Sequence, residues 1–228
     1  MPVEKICTGF KKKYGSPRLG NKANPLNEYL YILLSLRTTY WSFEKVYLSF
    51  KRTYPRWEDV YRADKRKIAK TIKDAGLSNQ KAAHIKQALK KIKDDFGSLS
   101  LKSLKHAGDT EAEEYLMSLP GLGKKAARCI MLYSLGRDIL PVDTHTQRVA
   151  ERLGFISRVD NKKAHDLLDR KVPKKLSYIF HVGCVVHGRT ICLHHKPKCG
   201  ECFMSEYCKN FKERGDADRG KARWQKNR

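Results

Sequence analysis

Apolar residues recur along this chain at steps of three and four. Between 82 and 96, Ala82, Ile85, Leu89, Ile92 and Phe96 mark one face, and lysines fill the positions between them. That pattern predicts an amphipathic helix closed by Gly97 as its C-cap. Residues 29–36 are more continuously apolar and predict a buried helix, with Asn27 as its N-cap. Further helices are predicted over 42–53, 64–74, 110–118, 124–135, 144–153, 161–170 and 174–187. Short breaks separate them, at Tyr54 and Pro55, at Gly76, at Gly108 and Asp109, and at Pro120 and Gly121. No convincing run of alternating strand positions, internal repeat or long linker interrupts this order. The expected fold class is all-α.

Composition narrows what such a fold is for. The 228 residues suit one large domain or two small ones, and 40% hydrophobic residues are enough for a core. Lys plus Arg number 48 against 24 Asp plus Glu, a formal net charge of +24. A compact chain this basic is expected to bind a polyanion, because releasing condensed counterions from nucleic acid drives association. An anionic membrane surface is the bland alternative. No stretch is long and apolar enough to span a bilayer. Residues 1–14 lack a signal-peptide core, since Cys7 and Phe10 are scattered among lysines. The expected location is therefore intracellular, where disulfides are rare, and the seven cysteines need another explanation. Cys7, Cys129 and Cys184 are isolated, the last two inside apolar helices as core residues. The other four, Cys192, Cys199, Cys202 and Cys208, form C-x6-C-x2-C-x5-C, a metal-site pattern. Four thiolates suit tetrahedral zinc or a cubane [4Fe–4S] cluster, and the chemistry alone leaves both open. Near Lys196 the periodicity gives way to short loops. Residues 216–228 are basic without an apolar stripe, either a tail that adds phosphate affinity or a plain solvated end.

Two short motifs carry candidate chemistry. Residues 119–127 read Leu-Pro-Gly-Leu-Gly-Lys-Lys-Ala-Ala, between one predicted helix and the next. Gly121 and Gly123 let backbone N–H groups approach a phosphate, and the N-terminus of the following helix favours negative charge. Leu122 is expected to anchor the turn in the core. The bland reading is an ordinary tight turn. The second motif is Pro-Val-Asp-Thr-His at 141–145. Taken alone, Asp143 reads best as a helix N-cap and Lys125 as a phosphate contact. Taken together they allow a different chemistry. A poorly solvated lysine loses its proton more readily and becomes a nucleophile, and a carboxylate nearby stabilises a developing positive sugar.

Residues 119–152 resemble the helix–hairpin–helix DNA glycosylase superfamily, most closely its endonuclease III branch. The likeness runs over roughly residues 26–210. It implies that Lys125, eighteen residues before Asp143, is the catalytic lysine, and that Asp143 is the catalytic aspartate. It also implies that the C-x6-C-x2-C-x5-C spacing holds a [4Fe–4S] cluster. The implied architecture is two helical lobes. Residues 27–137 would form a six-helix barrel with the hairpin, and 1–26 with 138–215 the cluster lobe, its loop spanning 192–208. The implied partner is double-stranded DNA with a damaged or mismatched base or an abasic site, bound by a monomer. Gly121, Gly123, Lys124, His145, Arg189, Lys196 and Lys198 would contact it. Residues 33–39 resemble the segment that plugs the gap left by an extruded base, which makes Arg37 the plug, and Gly76-Leu77-Ser78-Asn79 resembles the loop that wedges a leucine into the opposite strand.

The implied activity is that of a bifunctional glycosylase and lyase acting on a damaged pyrimidine. Two departures weigh on that substrate, Arg37 where endonuclease III has glutamine and Tyr40 where it has an acidic residue. Tyr40 and Trp41 are candidates for stacking on an extruded base or for the core. A monofunctional glycosylase for mismatched uracil or thymine, and a non-catalytic binder of damaged DNA, are the competing readings.

Overall fold

The computed structural model describes residues 2–38 and 40–213, with the backbone alone at Tyr40 and Trp41. The stacking expected of Tyr40 and Trp41 and the basic tail at 216–228 lie outside the described residues. Among those residues the regular structure is entirely helical. The helices are α1 (Val3–Tyr14), α2 (Pro25–Ser35), α3 (Tyr40–Thr53), α4 (Trp57–Arg62), α5 (Lys65–Thr71), α6 (Ser78–Phe96), α7 (Asp109–Ser118), α8 (Lys124–Tyr133), α9 (Thr144–Leu153), α10 (Asn161–Asp169) and α11 (Ser177–Thr190). Single 3-10 turns precede α6 and α11 and punctuate the cysteine loop. No described helix is long and apolar enough to cross a membrane.

The chain divides into two compact units. One holds the chain up to Leu19 together with the chain from Asp138 onward, and the other is Gly20–Arg137. In the Gly20–Arg137 unit, α2 is buried along most of its length and packs against α3, α6 and α8. It starts one turn earlier than the pattern of apolar residues predicts. Asn24, not Asn27, is the N-cap, its side chain accepting from the N–H groups of Leu26 and Asn27 at 3.0 and 3.1 Å. Pro25 at the first helical position fixes a helical φ and has no N–H to lose, which decides between the two asparagines. Helix α6 runs nineteen residues to Gly97, whose left-handed φ of +66° ends it as expected.

The other unit is built on α1, which the lysine-rich N-terminal sequence conceals. Val3, Ile6, Cys7 and Phe10 are buried at helical spacing while Lys11, Lys12 and Lys13 sit in its last turn, where cations suit the helix dipole. Helix α1 packs on α11, and α11 on α9. A Cβ at Gly183 would run into the Phe10 ring, so the glycine admits that ring to the α11 backbone. The predicted helix at 174–187 is a 3-10 turn followed by α11, displaced by three residues.

Candidate active site and cysteine loop

In the Gly20–Arg137 unit the hairpin joins α7 to α8. Gly121 has φ +85°, a conformation only glycine adopts cheaply, and a Cβ there would come within 2.6 Å of Leu33 Cδ1 and 2.8 Å of His84 Nδ1. The Tyr29 hydroxyl, inside the core, donates to Pro120 O at 2.9 Å and fixes the turn from below. The anchor is therefore Leu119, which is buried, together with Tyr29; Leu122, expected to fill that role, is only half-buried. Gly123 is extended, open to solvent and the N-cap of α8, so its neighbouring N–H groups face outward at a helix N-terminus.

Lys124 and Lys125 open α8, both half-buried. Lys124 reaches Glu113 Oε1 at 4.0 Å, while Arg128 holds Glu113 Oε2 at 3.0 Å. Glu28 on α2 is completely buried. It accepts from Lys22 N at 2.6 Å and from the Asn21 side chain. Burial raises its carboxyl above the ordinary range, opposed by these hydrogen bonds and by the charges of Lys22 and Lys125. A buried carboxylate thus lies within electrostatic reach of Lys125, on a helix whose sequence advertises only hydrophobicity.

The two expected DNA-opening residues are exposed on loops of this unit. Arg37 follows α2 with φ +54°, and Leu77 precedes α6 with φ +49°. Leu77 is 49% exposed and so does not fill the core.

In the other unit Asp143 is the N-cap of α9, its Oδ1 accepting from Thr146 N at 2.7 Å. The loop leading to it is pinned from α10. Val142 N donates to His165 Nε2 at 3.1 Å, and Asn161 Nδ2 donates to Val142 O at 3.1 Å. Gly188 leaves room for His145, whose imidazole is held below its usual range, chiefly by burial. Helix α9 runs from Asp143 to the cysteine loop and grips it with two arginines. Arg148 donates to Cys192 O at 3.1 Å and to Gly188 O at 2.8 Å. Arg152 donates to Cys192 Sγ at 3.2 Å, Leu193 O at 2.7 Å and His194 O at 2.9 Å.

Cys192, Cys199, Cys202 and Cys208 line one cavity with Arg152, Ile191 and Phe211. Burial pushes the Cys202 and Cys208 thiols up, and charge on the neighbouring cysteines pushes them further, so the four sulfurs sit within each other's field. His187 is buried, with Nδ1 2.7 Å from the Tyr14 hydroxyl and Nε2 3.4 Å from Cys202 Sγ. With Tyr14 donating to Nδ1, the Nε2–H faces the sulfur. These donors and the shared cavity fit a thiolate-held group. Among the described residues, however, no three His, Cys, Asp or Glu side chains already converge on a single metal-ion position. Arg189, Lys196 and Lys198 are exposed around this loop.

The structure gathers the four cysteines in one place and joins Asp143 to their loop through one helix. It sets Lys125 and Asp143 in different units. Sequence reasoning missed Glu28, Lys81, Arg148, Arg152 and His165; the i+5 and i+9 spacing of the two arginines from Asp143 was the only available signal.

An all-helical fold with a Gly-x-Gly-Lys-Lys hairpin, an aspartate-capped helix and a four-cysteine loop defines a class of DNA repair proteins. Residues 30–174 match the HhH-GPD superfamily base excision DNA repair protein family, and the chain belongs to it. It is 26% identical over 216 residues to endonuclease III of Thermotoga maritima, covering 95% of this chain and 96% of that one. It is 30% identical over 167 residues to the DNA glycosylase/AP lyase ROS1 of Arabidopsis thaliana, covering 65% of this chain but only 12% of that much longer protein. A thermostable thymine-DNA glycosylase of known structure superposes with a TM-score of 0.78 at 27% identity, over 92% of this chain and 95% of that one.

Proposed function

We propose that the protein is a bifunctional DNA glycosylase and AP lyase of base excision repair, acting on double-stranded DNA as a monomer. Lys125, in the first turn after the hairpin of a member of this family, carries the proposal. Its Nζ lone pair attacks C1′ of the target nucleotide as the N-glycosidic bond breaks, and the base leaves with the pair from that bond and takes up a proton. The sugar ring then opens as C1′–O4′ breaks, O4′ takes up a proton and Nζ gives up its protons, which leaves a C1′=Nζ Schiff base. Removal of a 2′ proton then expels the 3′ phosphate and nicks the strand. Asp143 stabilises the positive sugar and moves protons, in a loop that His165 and Asn161 hold still. Gly121, Gly123 and Lys124 grip the phosphate backbone, with His145, Arg189, Lys196 and Lys198 as further contacts. Leu77 and Arg37 open the duplex and fill the gap.

Cys192, Cys199, Cys202 and Cys208 would hold a [4Fe–4S] cluster, whose chemistry is a covalent cross-link of the loop and an electron-transfer centre. Four thiols lining one cavity, with Arg152 donating to Cys192 Sγ, support a thiolate-held group there, and the likeness of the cysteine spacing to endonuclease III-like proteins favours the cubane over zinc.

Borohydride trapping on an abasic duplex tests the reading. Wild type should give a covalent protein–DNA band and Lys125→Ala none, with DNA binding retained. A monofunctional mismatch glycosylase is the second reading, favoured by the likeness to a thymine-DNA glycosylase. Base release from uracil or thymine mismatches, with no nick until alkali is added, would establish it in place of the lyase.

A further inference from the structure

Lys81 lies in the first turn of α6, yet it is only 3% exposed. Burial opposes its charge, pulling it down to about 8, and the N-terminal end of a helix opposes a cation as well. A position that needed only volume would take an apolar side chain. What Lys81 has instead is four oxygen acceptors: Leu34 O and Leu36 O at 2.9 Å, Ala75 O at 2.8 Å and Thr38 Oγ1 at 3.1 Å. Thr38 in turn donates to Ala75 O. All four acceptors are uncharged; three come from the end of α2 and the loop that follows it, and one from the turn before α6, far away in sequence.

Those loops share an unusual build. The one after α2 carries exposed Leu36 and Arg37, the latter left-handed. The one before α6 carries exposed Leu77, also left-handed. Non-glycine residues keep such conformations only where surrounding contacts dictate them. The ammonium of Lys81 supplies those contacts to both loops at once.

We propose that Lys81 is a positioning residue that locks the Leu36–Arg37 loop and the Leu77 loop into one rigid duplex-opening jaw. The proposal rests on the reading of these loops as the DNA-opening elements. Leu77 could not part a base step, nor Arg37 fill the gap, if its loop yielded under the load of stacking, so the two loops must be held as a unit before DNA arrives.

The experiment is base opening measured without chemistry. A duplex carries 2-aminopurine beside a tetrahydrofuran abasic analogue, and fluorescence is read at saturating protein, because 2-aminopurine brightens when unstacked. Wild type should raise it. Lys81→Met should cut that rise by about threefold or more, and Thr38→Val, which removes one of the four acceptors, by a smaller amount. A folded Lys81→Met with the wild-type rise would overturn the proposal. Should Lys81→Met fail to fold, an undiminished rise in Thr38→Val would do the same, as would a wild type that never brightens the probe. Borohydride trapping of wild type on a single-stranded abasic oligonucleotide is read alongside. Its failure would remove the lyase reading while the fluorescence still judges Lys81.

Discussion

Asp143 has two tasks that can be separated by substitution. As N-cap it satisfies Thr146 N, a task asparagine performs almost as well, whereas alanine costs about 1 kcal/mol. As the charge proposed to face the reacting sugar it would have no neutral substitute. Asp143→Asn should therefore melt like wild type, Asp143→Ala should melt lower, and both should lose turnover by roughly a hundredfold or more. Equal turnover in Asp143→Asn and wild type would leave only the cap. A second residue-level contrast concerns the cysteines outside the loop. Burial pushes Cys7 up to about 12 and Cys184 well above the ordinary thiol range, so neither forms thiolate in the native protein. Iodoacetamide at mildly alkaline pH should label both only after unfolding, with mass spectrometry of tryptic peptides as the readout.

At the scale of elements, the hairpin glycines make opposite demands. Gly121→Ala must force a left-handed φ and collide with Leu33 and His84, and should cost at least about 1 kcal/mol of stability. Gly123→Ala meets nothing within 4 Å and should fold normally while weakening DNA binding, since its Cβ stands where a phosphate would approach. Thermal melts and filter binding on the same two variants check this. The hairpin, the Asp143 cap and the boundaries of α9 were all legible in the sequence, because glycine, proline and aspartate act locally. Helix α1 was legible in principle: Val3, Ile6, Cys7 and Phe10 keep helical spacing, but three consecutive lysines drew attention to charge instead of period. The anchoring of the hairpin was not legible. Tyr29 reaches Pro120 across ninety-one positions, and nothing near either residue announces the other. Lys81 is the extreme case, since a lysine in a helical pattern reads as solvated until the carbonyls around it are known.

For the whole molecule, a net charge of +24 predicts that phosphate contact is the main source of affinity for DNA. The association constant for undamaged duplex should fall by about tenfold or more between 50 and 200 mM salt. A flat salt profile would mean that the basic residues are not at the interface. The cysteine loop bears on stability as well as on affinity. Arg148 and Arg152 tie α9 to the loop, so removing a bound cluster by oxidation should loosen α9 and α11 as well as the loop. Loss of visible absorbance and loss of helicity should then run in parallel. Bleaching that leaves the helicity and melting temperature unchanged would show the loop to be an appendage.

The division of the chain also sets an order in time. Gly20–Arg137 is one continuous stretch and is complete as soon as it leaves the ribosome, whereas the unit that holds α1 needs residues made after that stretch. Helix α1 is synthesised before that stretch and meets its partner α11 more than 160 residues later. At the rates of translation, about 5–20 residues per second, Ile6, Cys7 and Phe10 wait many seconds with no surface to cover them. The run of lysines beside them keeps the waiting segment soluble and repels other nascent copies, so a charge pattern suited to DNA in the finished protein also protects the unfinished one.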